Sequence, residues 1–289
     1  MKSNPENSKL ETRNSKLITS RDNSLLRLAR AVRDGKDESL IFVEGLRLCE
    51  EALTSGLKIH AAIYSNEIAR KERAASLLAK LEGECDRLGE VSESLLASVS
   101  YTKTPQGMIF LAERPLSGRE ILESHQTGPQ LLVILDSINN PVNVGAIFRS
   151  AEAAGATGMI TTGTSSDPFS PKALRGAMGS AFRLRVWSGA TYAEALDWCK
   201  AKGIKTVSAD LSATKPHTEI DWKGSRALVV GPESTGLSAE QVQLTDESVR
   251  IPMQGEVESL NVAVAAAILL YEAQRQRSAS TGSRASRPQ

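Results

Sequence analysis

Three polar loops hold the residues of this sequence best suited to chemistry, and each follows a short apolar run. In the first, Asn139, Asn140 and Asn143 surround Pro141, with Gly145 and Arg149 just beyond. In the second, Gly231, Glu233 and Gly236 precede Ser238; in the third, Gly255, Glu256 and Glu258 lead to Ser259 and Asn261. Carboxylates, a guanidinium, amides and hydroxyls are the groups that orient a polar ligand and answer charge developing on it. The same residue types also dominate ordinary turns, so a single loop of this kind reads as a turn. Three of them at successive strand ends read as a site, because open α/β sheets bind ligands at the carboxyl ends of their strands. Ser259 is placed like an N-cap, where its hydroxyl either satisfies a first-turn amide or points into a cleft, and Asn261 has the same choice. Glu256 and Glu258 fit a solvated loop face as well as a site. Asn143 is expected just ahead of a helix, which puts Arg149 on the second turn, facing the same cleft.

The elements that must position these loops alternate strand with helix from Gln130 onward. LLVILD, GMITTG, RLRVWSG, IKTVSAD and ALVVG read as strands, and AIFRSAEAAG, PKALRGAMGSAF and TYAEALDWCKAKG as helices. That alternation predicts a parallel sheet covered on both faces. A last short strand, Val249 to Met253, leads into a helix starting near Ser259, apolar almost all round from Val262 to Leu270 and so expected to be buried. Earlier in the chain, LIFVEG, IHAAIYS and GMIFLAE read as strands among helical segments, a smaller α/β unit over 21–113. Residues 114–129, bounded by Pro and Gly, read as a linker. Residues 1–20 and 278–289 have almost nothing to bury and are expected to be disordered tails, both basic. The domain reading is therefore 1–20 tail, 21–113 first domain, 114–129 linker, 130–277 second domain and 278–289 tail.

Composition excludes several classes. The 289 residues are 40% hydrophobic and 24% charged, globular values, while aromatics at 4% require aliphatic cores. Cys49, Cys85 and Cys199 form neither a disulfide framework nor a metal pattern and point to a reducing compartment. His60, His125 and His217 have no ligand spacing, so no metal is expected. No apolar run spans a membrane and the N-terminus has no signal core, which reads as a cytoplasmic protein. GPESTGLS lacks the lysine and spacing of a P-loop, and no GxGxxG follows the first strand of the second domain.

Together the three loops resemble the three motifs of the SpoU/TrmH family of RNA ribose 2′-O-methyltransferases. NPVNVGAIFRSAEAAG matches the first, GPESTGLS the second and IPMQGEVESLNVAVAAAILLYE the third. SPKALRGAMGSAFRLRV also looks like the family. The second motif departs at Pro232, where Asn is common, and at Ser234, where Gly is usual. ITSRDN, FVEG and TPQG resemble the substrate-binding domain that precedes the catalytic domain in the branch acting on ribosomal RNA.

The resemblance implies an α/β fold with a C-terminal parallel-sheet domain containing a deep trefoil knot (SPOUT), plus a smaller N-terminal α/β substrate-binding domain. It implies S-adenosylmethionine (S-adenosyl-L-methionine) as cofactor, held around Gly231, Ile251 and Leu260 with Met253 as a neighbour. Arg149 matches the catalytic arginine, either a base or a clamp on phosphate and developing alkoxide, and Asn143, Glu233, Ser259 and Asn261 match the polar positions that orient it and the ribose. It further implies a homodimer in which the arginine serves the partner's site, and an RNA substrate, ribosomal RNA ahead of transfer RNA. Alternatives from the same residues are methylation of a base nitrogen, and an RNA-binding or ribosome-assembly protein without catalysis.

Overall fold

The computed structural model describes residues 15–281 apart from 82, 84, 86 and 125–127; the remainder of both predicted tails lies outside the described residues. The chain divides between Arg114 and Pro115 into two compact units.

The first unit is built on a five-stranded sheet of β1 (Ser15–Ile18), β2 (Leu40–Glu44), β3 (Ile59–Ser65), β4 (Leu88–Val91) and β5 (Met108–Glu113), in the order β1-β4-β3-β5-β2. β1 and β3 pair parallel with β4, while β5 is antiparallel to both β2 and β3. β1 falls within the stretch expected to be a disordered tail. Its Ile18 joins Leu25, Leu26 and Val91 in the core, and that apolar anchor is why the strand forms. The Ser24–Arg33 helix starts at Asn23, whose side chain accepts from the Leu25 amide at 2.8 Å.

The second unit carries a six-stranded sheet of β6 (Leu131–Asp136), β7 (Gly158–Thr162), β8 (Arg185–Ala190), β9 (Lys205–Ala209), β10 (Arg226–Val230) and β11 (Glu247–Val249). Every pairing is parallel, in the order β11-β9-β10-β6-β7-β8. β6 and β10 lie side by side in the middle and are buried along their length, as their unbroken Leu, Val and Ile runs require. The chain order reverses direction between them, so the loops leaving them open a crevice at the sheet's carboxyl edge.

Several boundaries differ from the sequence expectation for identifiable reasons. The supposed linker contains a helix, Arg119–Glu123, whose Leu122 is buried against Leu132, Ile160 and Trp198, and the Gly118 amide donates to Val186 of edge strand β8. The segment PKALRGAMGSAF forms two helices, Pro171–Ala177 and Ser180–Arg183, because Met178 (φ 49°) and Gly179 (φ 95°) adopt left-handed backbone between them. The last strand ends at Val249 rather than Met253: Arg250 turns to pair with Lys215 and Pro216, and Pro252 has no amide to extend a ladder.

The C-terminal helix, Val262–Thr281, begins later than expected and runs beyond Arg277. It is not buried all round. Ala263, Ala266, Leu269, Leu270 and Ala273 face the core, while Val264 and Tyr271 are 48% and 51% exposed. Its last turns are clamped by polar contacts. Gln276 donates to the Ile220 carbonyl and accepts from the Trp222 amide, and Arg277 donates to the carbonyls of Trp222, Gln130 and Gly224. Glu272, buried in this clamp, accepts two hydrogen bonds from Arg275 and one from Gln276.

Against the sheet, the Pro141–Ala153 helix crosses Pro171–Ala177 at a point where both contribute glycine. A Cβ on Gly145 would stand 2.3 Å from the Ala173 carbonyl oxygen and 2.9 Å from the Gly176 Cα. Gly145→Ala therefore overpacks the crossing and is expected to lower stability by about 1–3 kcal/mol, read as a fall in urea midpoint at unchanged slope. A midpoint equal to that of the parent would show that the helices move apart without cost.

The Glu272 carboxyl is held down to about 2, first by its hydrogen bonds from the Arg275 guanidinium and against the upward push of burial. Because its folded value lies below the unfolded one, its contribution is complete above pH 4.5 and is lost as pH falls toward 2. Glu272→Gln is expected to flatten the acid side of the stability–pH curve over that window, measured by denaturant titration at each pH; an unchanged slope would remove Glu272 from the acid transition.

Candidate active site

The first loop leaves β6 and enters its helix sooner than the sequence suggested. Asn140 is the N-cap, its side chain accepting from the Val142 amide at 3.0 Å, and Pro141 occupies the first helical position with its φ already set. Asn143 is therefore inside the first turn. Arg149, six residues on, lies about 240° around the helix and about 9 Å along it. Asn143 is buried and Arg149 is exposed, so the expectation that both face one cleft is corrected. Arg149 has no hydrogen-bond or ion-pair partner among the described residues.

The third loop brings the C-terminal helix to Asn143. Asn261 is the residue that caps it: its side-chain oxygen accepts from the Ala263 amide at 2.9 Å and its carbonyl from the Ala265 amide. Ser259, expected as the cap, is exposed and lies in the loop before it. The Asn261 amide group donates to Asn143 Oδ1 at 3.2 Å, and Asn143 Nδ2 donates to Glu233 Oε1 at 3.0 Å. The Asn140 amide approaches the same oxygen at 3.4 Å. One residue from each loop is thus joined in a chain that ends on a carboxylate.

This chain floors an open cleft of about 320 Å³ lined by Asn140, Asn143, Glu233, Ser259, Leu260 and Asn261, with Val262. Among the described residues, the Ser259 hydroxyl and the second Glu233 oxygen have no hydrogen-bond partner. The cleft so offers a carboxylate and a hydroxyl to the hydroxyl groups of a ligand. Five of the nine sequence-predicted site residues meet here; Arg149, Gly231, Ile251 and Met253 lie outside the lining.

Gly231, buried at the end of β10, shapes the neighbouring turn. A Cβ there would sit 2.6 Å from the Leu237 nitrogen and 2.8 Å from the Gly236 carbon, so the loop closes on the strand end only because the side chain is absent. Ile251 and Met253 are half-buried on the segment leaving β11, and Leu260 is half-buried on the cleft wall.

Two residues that the sequence reading missed hold the second loop in place. Asp136, 5% exposed at the end of β6, accepts from the Thr162 hydroxyl and from Gln241 Nε2 at 2.9 Å. Gln241 also forms a capping box with Ser238, and its carbonyl accepts from the Tyr192 hydroxyl at 3.0 Å. Burial, and then the Asp136 charge, push the Tyr192 phenol up to about 12, so it remains a donor throughout the physiological range. The signal was available: Ser238-x-x-Gln241 has the capping-box spacing.

Comparisons with known proteins point to one family. Residues 130–271 match the model of the SpoU rRNA Methylase family, and residues 24–110 match an MRM3-like substrate binding domain. The chain is 32% identical to the 23S rRNA (guanosine(2553)-2′-O)-methyltransferase RlmP of Bacillus subtilis, over 79% of this chain and 86% of that protein. This chain belongs to the SpoU rRNA methylase family. Another relative, an uncharacterised tRNA/rRNA methyltransferase of Synechocystis, is 30% identical over 90% of this chain and 94% of its own. Among solved structures, the AdoMet-bound rRNA methyltransferase of Sinorhizobium meliloti superposes with a TM-score of 0.79 at 30% identity, covering 91% of this chain and 98% of that one. The SpoU match includes all three loops, and the departures at Pro232 and Ser234 leave Glu233 in the hydrogen-bonded chain. Among the described residues no group of His, Cys, Asp or Glu has a metal-ligating arrangement, and no helix is long and apolar enough to cross a membrane.

If Gln241 pins the SpoU second loop, Gln241→Ala removes a hydrogen bond to a buried carboxylate. Amides of residues 231–238 are then expected to exchange hydrogen about tenfold faster while those of β6 and β7 do not change. Equal exchange in the loop would mean that the Gly231 contact alone holds it.

Proposed function

We propose that this chain transfers a methyl group from S-adenosylmethionine to a ribose 2′-hydroxyl of ribosomal RNA. The observation that carries the reading is the chain from Asn261 through Asn143 to Glu233, which sets a carboxylate and the Ser259 hydroxyl at the mouth of a cleft on the sheet's carboxyl edge. The names of the relatives support it: the Bacillus subtilis protein acts on a guanosine 2′-oxygen of 23S rRNA, and the Sinorhizobium structure contains AdoMet.

The residues present fit the cofactor. Gly231 leaves the strand end open to close backbone approach, as a Cβ there would fill the turn, and half-buried Ile251, Met253 and Leu260 are apolar flanks suited to an adenine ring. When bound, S-adenosylmethionine supplies an electrophilic methyl group on a sulfonium that leaves without acid catalysis. The protein's part is alignment and charge. Glu233 and Ser259 bind the ribose hydroxyls, the 2′-proton passing to water of the open cleft as the oxygen takes up the methyl group, and Asn143 and Asn261 keep Glu233 in place. Arg149 presents a planar fork of N–H donors and no acceptor, so it serves as the clamp on the neighbouring phosphate and on alkoxide charge.

Because Arg149 faces away from its own Asn143, it reaches a cleft in a second copy of the chain. Val264 and Tyr271, seven apart on one face of the C-terminal helix with Ile268 between them, supply an apolar stripe for such a homodimer. The trefoil knot belongs to the same reading: the segment after β11 starts at one edge of the sheet and returns to Asn143, beside the central strands.

Arg149→Ala is expected to bind S-adenosylmethionine as the parent does in calorimetry while losing about 10²–10³ in methyl transfer to unmodified 23S rRNA. Unchanged turnover would remove Arg149 from the mechanism. Mixing Arg149→Ala with Glu233→Gln chains should restore about a quarter of parental activity, because half of the randomly paired dimers regain one intact site. No recovery after verified subunit exchange would place the arginine and carboxylate in the same chain.

A further inference from the structure

The first unit has four aromatic residues, Phe42, Tyr64, Tyr101 and Phe110. Three are buried in its core; Tyr101 is 43% exposed. It lies on the loop of residues 100–106 that joins the Glu93–Val99 helix to β5, and this loop is held by a buried charge. Glu44, the last residue of β2 and 5% exposed, accepts from the Ser100 hydroxyl, from the Tyr101 amide at 2.9 Å, from the Thr102 amide at 3.2 Å and from the Thr102 hydroxyl at 2.7 Å. Arg33 donates to the carbonyls of Val99 and Ser100 from the other side. At the far end, Gln106 packs against the bare Cα of Gly45, which holds φ at 105°.

A carboxylate taken out of water is strongly destabilising unless its oxygens are hydrogen-bonded, and here the donors that satisfy it come from the loop. Burying Glu44 therefore fixes the backbone on which Tyr101 stands. Exposed cations stand on the same segments: Lys103 is exposed two residues after Tyr101, Arg47 is exposed two residues after Gly45, and Asp34 is already paired with Arg33. An exposed ring on a fixed backbone, with a cation two residues on, suits an unpaired base next to phosphates, since RNA is read largely through bases that leave their stack and settle on aromatic side chains.

We propose that the loop of residues 100–106 is an RNA-contact site in which the Tyr101 ring stacks on an unpaired base of ribosomal RNA and Lys103 meets an adjacent phosphate. The proposal rests on the ribosomal RNA reading above and adds where the first unit holds that substrate. The probe is unmodified 23S rRNA transcript, titrated against the full-length chain. Tyr101→Ala is expected to weaken binding by about 5- to 100-fold, Tyr101→Trp to preserve it, and both to retain the parent's melting curve and S-adenosylmethionine affinity. Lys103→Ala should weaken binding and reduce the slope of log affinity against log salt by about one, a slope that Tyr101→Ala leaves unchanged. A Tyr101→Ala chain that binds the transcript within twofold of a methylating parent overturns the platform and leaves the methyltransferase reading standing. A parent that neither binds nor methylates the transcript overturns both.

Discussion

The Asn143 side chain is the point on which the catalytic unit depends. A primary amide both donates and accepts, so a single residue in the first turn of a helix can hold a carboxylate from one loop and the cap of another helix from a third. Its position is in turn set by the glycine crossing beneath it, which lets the Pro141–Ala153 helix lie close against Pro171–Ala177. A larger residue at Gly145 would lift the helix and carry Asn143 away from Glu233. Backbone close-packing and side-chain hydrogen bonding are thus one constraint here.

Both units use the same device at the end of a strand. Glu44 ends β2 and Asp136 ends β6, each is nearly inaccessible to water, and each satisfies its oxygens with donors from segments distant in the chain: a loop for Glu44, a strand end and a helix for Asp136. Such a carboxylate favours a single loop conformation, because any other leaves a buried charge without partners. In the second unit the loop so held is the one after β10, which carries Glu233. In the first it is the one that presents Tyr101. In both loops a buried acid adds order that the sequence of the loop does not supply by itself.

The C-terminal helix shows how one element can serve two environments. Its small residues, Ala263, Ala266 and Ala273, allow close approach to the core, and its far end is tied by Gln276 and Arg277 to the carbonyls of Ile220 and Gln130. The opposite face keeps Val264 and Tyr271 in water in the single chain. An Ala-rich sequence does not reveal this division, because alanine is equally at home on either side.

Much of the fold and the placement of the three polar loops after strands was legible in the sequence. Unbroken apolar runs at Leu131–Leu135 and Ala227–Val230 could only be strands buried on both faces, and polar residues after three strands marked the sheet edge where ligands bind. The Asn140–Pro141 pair also encoded the true start of its helix, although the later periodic residues suggested a later one. What tertiary structure alone decided was direction and partnership. That Asn143 turns inward while Arg149 turns outward follows from the helix starting at Pro141 and packing by Gly145. That Asn261, not Ser259, caps the last helix follows from where the loop meets Asn143. That Asp136 and Glu44 are buried follows from contacts 105 and about 57 residues away in the chain. Local sequence carries propensity and period, but hydrogen bonds between distant loops exist only once the sheet has brought them together.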